Sequence, residues 1–281
     1  MVIDRPILLI GVGGMLWRAW DELCSRRGIE THSPSLDDFD LTKPQTIERE
    51  LDDRYSCVIN CAGMTDVDGC ETQQDLANAI NGTGAGNLAR RCAETDTLLV
   101  HYSTDYVFNG KADSPYTTDQ LRDPINAYGC SKAMGEELIE SSGCRHLIIR
   151  TSWLYAAWGS NFVLTMIELL RKKRVIKVVN DQRGRPTSAQ HLVETSLRLI
   201  EQDRSGIFHA TDGGECSWCE FAKEIRRLID SSCAIEPCTT AAFPRPASRP
   251  ANSVLDLAAT EDLVGPMSKW ESNLKEVINA I

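Results

Sequence analysis

The sequence predicts an α/β fold: a Rossmann-like, doubly wound parallel sheet with a smaller C-terminal substrate-binding domain. Three observations predict it. Short apolar runs, ILLIG (7–11), CVINCAG (57–63), TLLVHYSTD (97–105) and HLIIRTSW (146–153), alternate with helical stretches. Such runs mark parallel strands covered on both faces. The first run ends in a glycine-rich turn, GVGGMLW (11–17). After residue 153 the alternation becomes less regular, as expected where a second unit begins.

Each element has its own reason. Residues 15–27 have helical character. A further helical segment carries Leu76, Ala79 and Ile80, then Leu88, Ala89 and Cys92, on apolar faces. NFVLTMIELLRKK reads as an amphipathic helix, VIKVVN as a strand and PTSAQHLVETSLRLIEQ as another helix. GIFHATDG is a strand, and SWCEFAKEIRRLI is a helix with Ser217 as its N-cap. TTAAFPRPASRPANS is proline-rich and reads as an extended loop. Residues 1–152, with roughly 175–204, then form an NAD(P)-binding domain. Residues 153–174 and 205–281 form the substrate-binding domain, with the active site in the cleft between them.

Composition removes several function classes. The 281 residues include 42% hydrophobic side chains, enough for a sizeable core. Thirty basic and 40 acidic residues give a net charge of −10, a poor match for nucleic acid. Small anions stay open as ligands, because a few backbone N–H groups hold them locally. No stretch approaches the ~20 apolar residues of a membrane span. The expectation is a soluble, cytoplasmic protein with no nucleic-acid or membrane partner. The eleven cysteines are scattered and read as reduced thiols serving as small hydrophobes. Cys216 and Cys219 have metal spacing but no second pair and no histidine cluster. No metal site is expected.

The glycine turn suits a dinucleotide. Gly11 allows the tight turn and Gly14 lets backbone N–H groups approach a pyrophosphate. Gly13, Met15 and Leu16 belong to the same turn. Trp17 stands where a third glycine normally permits close helix–strand packing, so either the turn is shorter or the helix is displaced. Cys61, Ala62 and Gly63 end a strand with small residues that suit an adenine or ribose, and Asp40 and Leu41 reach the same region. Neither a base for a 2′-phosphate nor an acid at the end of the second strand is evident, so the cofactor is NADPH or NADH.

Tyr128 and Lys132 lie four residues apart, one helical turn on one face. An ammonium beside a phenol favours phenolate and lowers its pKa from the reference near ~10. Ser103, Thr104 and Asp105 end a strand at the sheet edge where ligands bind. A hydroxyl there can bind a carbonyl oxygen while hydride reaches the carbon.

Together these segments resemble the extended short-chain dehydrogenase/reductase superfamily, and within it the dTDP-4-dehydrorhamnose reductase family. The resemblance runs nearly the whole length, through VINCAGMTDVDGCE, AINGTGAGNLA, HYSTDYVFNG, YGCSKAMGE, LIIRTSWLY, VVNDQRGRPTSA, SWCEFAKEI and RPANSVLD. It implies NAD(P)H-dependent reduction of the 4-keto group of a dTDP-4-keto-6-deoxyhexose, making dTDP-L-rhamnose. By the resemblance Tyr128 donates the proton, Lys132 lowers its pKa and holds the nicotinamide ribose, and Thr104 orients the ketone. Asn81 supports a proton-relay water, and Ser103 and Thr65 join the cofactor set. Asp105, Tyr106, Trp153 and Arg249 contact the nucleotide sugar, Arg249 at its diphosphate. Gly63 and Ala156 depart from the family's usual alanine and glycine. Some relatives hold magnesium between subunits; Gln190 occupies the candidate position here, with no carboxylate partner. A homodimer is one assembly the sequence leaves open. Two other readings stay on the table: a non-catalytic nucleotide-binding regulatory subunit, and a sugar-nucleotide epimerase or dehydratase.

Overall fold

The computed structural model describes residues 3–281. The first half alternates strand and helix: β1 (Ile7–Ile10), α1 (Met15–Arg27), β2 (Thr31–His32), α2 (Pro44–Glu50) and β3 (Cys57–Asn60). Two short helices follow, α3 (Val67–Thr72) and α4 (Gln74–Ala77), then a π-helical stretch, Asn78–Gly84, that leads into α5 (Ala85–Glu94). Next come β4 (Leu98–Thr104), α6 (Ala127–Ser141) and β5 (His146–Thr151).

The second half is β6 (Leu154–Tyr155), α7 (Phe162–Lys172), β7 (Val175–Val179), β8 (Arg183–Gly184), β9 (Thr187–Ser188), α8 (Ala189–Glu201) and β10 (Gly206–His209). It ends with β11 (Cys216–Ser217), α9 (Trp218–Leu228), β12 (Ala234–Cys238), α10 (Ala258–Val264) and α11 (Trp270–Asn279).

Six strands form the central sheet in the order β10-β5-β4-β3-β1-β2, every pair parallel. Period-two alternation sends Ile7 and Leu9 to one face, with Leu16, Trp20, Leu23 of α1 and Leu192, Val193 of α8. It sends Leu8 and Ile10 to the other, with Leu88 and Ala89 of α5 and Ile139 of α6. Both faces are covered, which is why the strands read as unbroken apolar runs. α1 ends at Gly28, whose φ of 66° is a left-handed cap that glycine adopts without steric cost. α6 starts at Asn126, whose side chain accepts the Gly129 N–H at 2.8 Å.

A smaller lobe is built on short two-stranded sheets: β7 with β12 and β6 with β9, both parallel, and β8 with β11, antiparallel. Its core is aromatic, with Tyr155, Phe221 and Trp270 buried together and Phe162 against them. Ser217 caps α9 in a full capping box with Glu220. Cys216 and Cys219 are buried free thiols of this core.

Strand membership corrects the expected division at two places. Residues 175–179 do not join the nucleotide-binding sheet; β7 pairs with β12 in the smaller lobe. Residues 206–209 do join it, because β10 pairs with β5 at the sheet edge. α8 packs on α1 against the sheet. The exposed Lys177 in mid-strand was the available signal, since a central parallel strand buried on both faces has no place for an ammonium.

Candidate active site

The glycine turn after β1 folds because the backbone there needs no side chains. Gly11 has φ +103° and Gly13 φ +84°. A Cβ on Gly11 would lie 2.8 Å from both the Cys61 carbonyl carbon and the Ala62 nitrogen, so this glycine lets the turn lie against the end of β3. α1 begins directly at Met15, with no side-chain cap and no acid in its first turn. Such a helix start, with its orphan N–H groups, is a ready anion site.

Beside it lies a cleft of about 450 Å³ lined by Gly11, Val12, Gly14, Leu36, Asp40, Leu41, Cys61, Ala62, Gly63, Leu76 and Ile80. Seven expected cofactor residues are therefore brought together. Val12, Leu36 and Leu76 are exposed large apolar side chains at this one cleft, a surface suited to a flat base. Sequence reasoning missed Val12, Pro34 and Leu36; their signal was apolar residues in loops flanking the turn. Asp40 holds its carboxyl below the usual range through Thr42 first and then Lys43.

The remaining expected cofactor residues fall differently. Leu16 is buried in the core, so its side chain faces away from the cleft. The Met15 carbonyl is taken by the Trp158 indole N–H at 3.1 Å. Thr65 is exposed in the loop after β3. Ser103 is buried, its Oγ has no hydrogen-bond partner among the described residues, and it does not line the cleft. Trp17 turns its indole N–H to Ser33 Oγ, 3.1 Å away, just past β2. The buried residues of α1 are Leu16, Ala19, Trp20, Leu23 and Cys24; Trp17 is half-buried and packs against the edge of their cluster.

The reacting edge is the C-terminal end of β4 with the first turns of α6. Thr104 is buried, donates to Asp105 Oδ1 at 2.9 Å and accepts the Tyr106 N–H at 3.2 Å. The Tyr128 phenol faces the Thr104 hydroxyl, and burial pushes its pKa well above the ordinary value. Tyr106 meets it edge-on, with ring centroids 5.9 Å apart. Burial raises the Asp105 carboxyl to about 6. Lys132 is buried one turn beyond Tyr128; burial lowers its ammonium to about 8. Behind this edge Glu136 is fully buried, bonded to Arg150 at 2.7 Å and Arg122 at 2.6 Å, which ties α6 to β5.

Several expected ligand contacts already have internal partners. The Asn81 amide is used up: Oδ1 accepts the Met64 N–H at 2.9 Å, while Nδ2 reaches the Met64 carbonyl and Ser131 Oγ, each at 3.0 Å. Its side chain thus holds the loop after β3 and leaves no amide N–H for a relay water. Gly63 fits this arrangement, because a Cβ there would lie 3.1 Å from Asn81 Oδ1. Arg249 pairs with Asp68 at 3.1 Å and lies over the Tyr106 ring. Asp68 also takes Arg245 and the Ala247 N–H, fastening the proline-rich loop to α3. Trp153 has φ +48°, strained for a bulky residue, and stacks on Trp218 at 3.5 Å between centroids. Among the described residues no three His, Cys, Asp or Glu side chains form a metal-ligand cluster, and no helix is long and apolar enough to cross a membrane.

Comparison with known proteins agrees with this geometry. The profile of the family described as "RmlD substrate binding domain" matches residues 5–281. The dTDP-4-dehydrorhamnose reductase of Streptomyces griseus is 36% identical, covering 99% of this chain and 94% of that protein. The crystal structure of a dTDP-4-dehydrorhamnose reductase from Clostridium acetobutylicum is 38% identical, with a TM-score of 0.93, and covers 98% of this chain and 99% of that one. The structure of the Bacillus anthracis dTDP-4-dehydrorhamnose reductase in complex with NADP is 32% identical, with a TM-score of 0.95, over 99% and 100% of the two chains.

Proposed function

The chain belongs to the RmlD substrate-binding-domain family, and from that premise we propose what its site does. It is an NAD(P)H-dependent oxidoreductase that reduces the 4-keto group of a dTDP-4-keto-6-deoxyhexose, converting dTDP-4-dehydro-L-rhamnose to dTDP-L-rhamnose. The observation that carries the reading is the placement of the Thr104 hydroxyl at the end of β4 against the Tyr128 phenol of α6, beside a cleft suited to a dinucleotide.

The residues present fit the cofactor. The uncapped start of α1 suits the pyrophosphate, the Gly11 turn would be filled by any Cβ, and the apolar cleft mouth suits the adenine. When bound, the dihydronicotinamide supplies hydride to the carbonyl carbon. Thr104 orients the carbonyl oxygen by hydrogen bonding. Tyr128 gives that oxygen its proton; the raised pKa keeps it a phenol, the acid form the step requires. Lys132, as a cation, would stabilise the phenolate left behind. Asp105, Tyr106 and Trp153 line the sugar side, and Arg249 takes the diphosphate by exchanging its carboxylate partner Asp68 for phosphate oxygens. The eleven free thiols support a reducing, cytoplasmic setting.

The test is NAD(P)H oxidation with freshly generated dTDP-4-keto-L-rhamnose, wild type against Tyr128→Phe. Turnover that collapses in the variant is expected. A folded wild-type protein inactive with both cofactors would rule the reading out.

A further inference from the structure

Behind Lys132 lies a buried hydrogen-bond chain whose protons can be placed one by one. Asn60 ends β3 and is 1% exposed. Its Oδ1 accepts the Ala62 backbone N–H at 3.0 Å, and a backbone N–H can only donate. That fixes which way the amide faces, so Nδ2 is the atom 3.1 Å from His101 Nδ1. Nδ2 also only donates, which makes Nδ1 the unprotonated ring nitrogen. A neutral imidazole carries one N–H, so it is on Nε2. Nε2 lies 3.2 Å from Lys132 Nζ. Only an uncharged amine has the lone pair to accept that N–H. The amine's own hydrogen goes to the Tyr102 carbonyl at 2.5 Å.

The other protonation states fail the same accounting. An ammonium on Lys132 would need Nε2 as acceptor and Nδ1–H as donor, pointing an N–H at the Asn60 N–H. Turning the amide over would only move the clash to the Ala62 N–H. Opposed donors in a buried site leave polar groups unsatisfied, at a cost of the order of a lost hydrogen bond. The groups facing this chain are few: Asn60 from β3, Tyr102 and Ser103 from β4, and Glu136 from α6, whose charge is balanced by Arg150 and Arg122. Burial drives the His101 imidazole well below its ordinary pKa, which keeps the ring neutral.

We propose that Asn60 and His101 are positioning residues for Lys132: their hydrogen bonds favour His101 as the Nε2–H tautomer and, with it, the neutral amine of the lysine in the cofactor-free protein. A ligand in the cleft that offers Lys132 new acceptors breaks the His101 contact, and the amine takes one proton from solvent to become the cation. The tautomer assignment stands on geometry alone; only its kinetic consequence rests on the reductase reading.

The test is ¹⁵N NMR of histidine-labelled, cofactor-free protein from pH 6 to 9, with His101 assigned through its own backbone correlations. The expected result is an unprotonated Nδ1 and a protonated Nε2 at pH 9, above the lowered Lys132 pKa of about 8. An Nδ1–H tautomer, or an imidazolium, at pH 9 overturns the proposal without recourse to any variant. The second arm is the pH profile of kcat/KM. Activity that needs the lysine cation falls as pH rises through its pKa. Removing the His101 donor in His101→Phe raises that pKa, so the alkaline limb moves up by roughly one pH unit. His101→Gln, which keeps an amide donor, restores the wild-type limb. An unmoved limb in folded His101→Phe sinks the control of Lys132. The expected tautomer in a wild-type protein with no turnover would instead sink the reductase reading and leave the tautomer standing.

Discussion

The two halves of the active site differ in how they meet a ligand. The cofactor half is open and preformed: a glycine turn, an uncapped helix start and exposed apolar side chains. Its binding groups are mostly backbone, held by the sheet, and little has to move. In the proposed reacting half most ligand-facing side chains already hold partners, while Ser103 Oγ and Asp105 Oδ2 have none among the described residues. Lys132 is held by His101 and Tyr102, Arg249 by Asp68, the Asn81 amide by Met64 and Ser131, and the Trp153 ring by Trp218. A substrate must therefore exchange partners there rather than fill vacancies. The reason is chemical: an open cleft lined mainly by backbone and small or apolar side chains can face water cheaply, while buried charged side chains need partners at all times.

The largest expected effect separates the halves outright. Tyr128→Phe should lower kcat by about 10²- to 10⁴-fold and leave NADPH binding, followed by fluorescence titration, unchanged. Loss of both together would mean that the halves are not separable. Next comes the support behind the reacting edge. Glu136→Gln leaves Arg150 buried without its counter-charge and should cost about 3–5 kcal/mol in urea unfolding; a smaller loss would mean water reaches that pair.

The third concerns Asp105, whose folded carboxyl titrates near 6 against a reference of 3.8. Its ionised form is disfavoured by folding, so its contribution is most favourable below pH ~4 and is lost as pH rises to ~6, by roughly 3 kcal/mol at most. Asp105→Asn should flatten the pH dependence of Tm in that window, and an unchanged slope would remove Asp105 as its source. The fourth tests the open half. Gly11→Ala puts a Cβ 2.8 Å from backbone at φ +103° and should raise the KM for NADPH by about tenfold with kcat nearly intact. The smallest has the opposite sign. Asp68→Asn frees Arg249 and Arg245, so KM for the sugar nucleotide should fall by about two- to fivefold; a rise would mean Asp68 positions the arginines for substrate instead of competing for them.

The open half was the more legible in sequence. Its signals are local: Gly11 and Gly14 could be picked out by spacing, and Cys61, Ala62 and Gly63 as small residues ending a strand, and the cleft gathers them all. Tyr128 with Lys132 was legible as a helical pair, and Thr104 as a strand end. The partners were not legible. Arg249 meets Asp68 across 181 residues, and Asn81 meets Ser131 across 50. Strand membership failed for the same reason: β7 and β10 are similar short runs, and which sheet each enters depends on a neighbour elsewhere in the chain.

By itself the sequence determined the parallel-sheet class, the glycine turn and the placing of Tyr128 and Lys132 on one helical face, because strand burial and helical spacing are local. Only the tertiary structure decided which sheet each late strand joins and which way the Trp17 indole turns. It alone decided that Lys132, Arg249, Asn81 and Trp153 each already hold a partner. Those outcomes depend on which donors and charges the fold buries side by side, and satisfying a buried polar group is a property of its surroundings rather than of the residue.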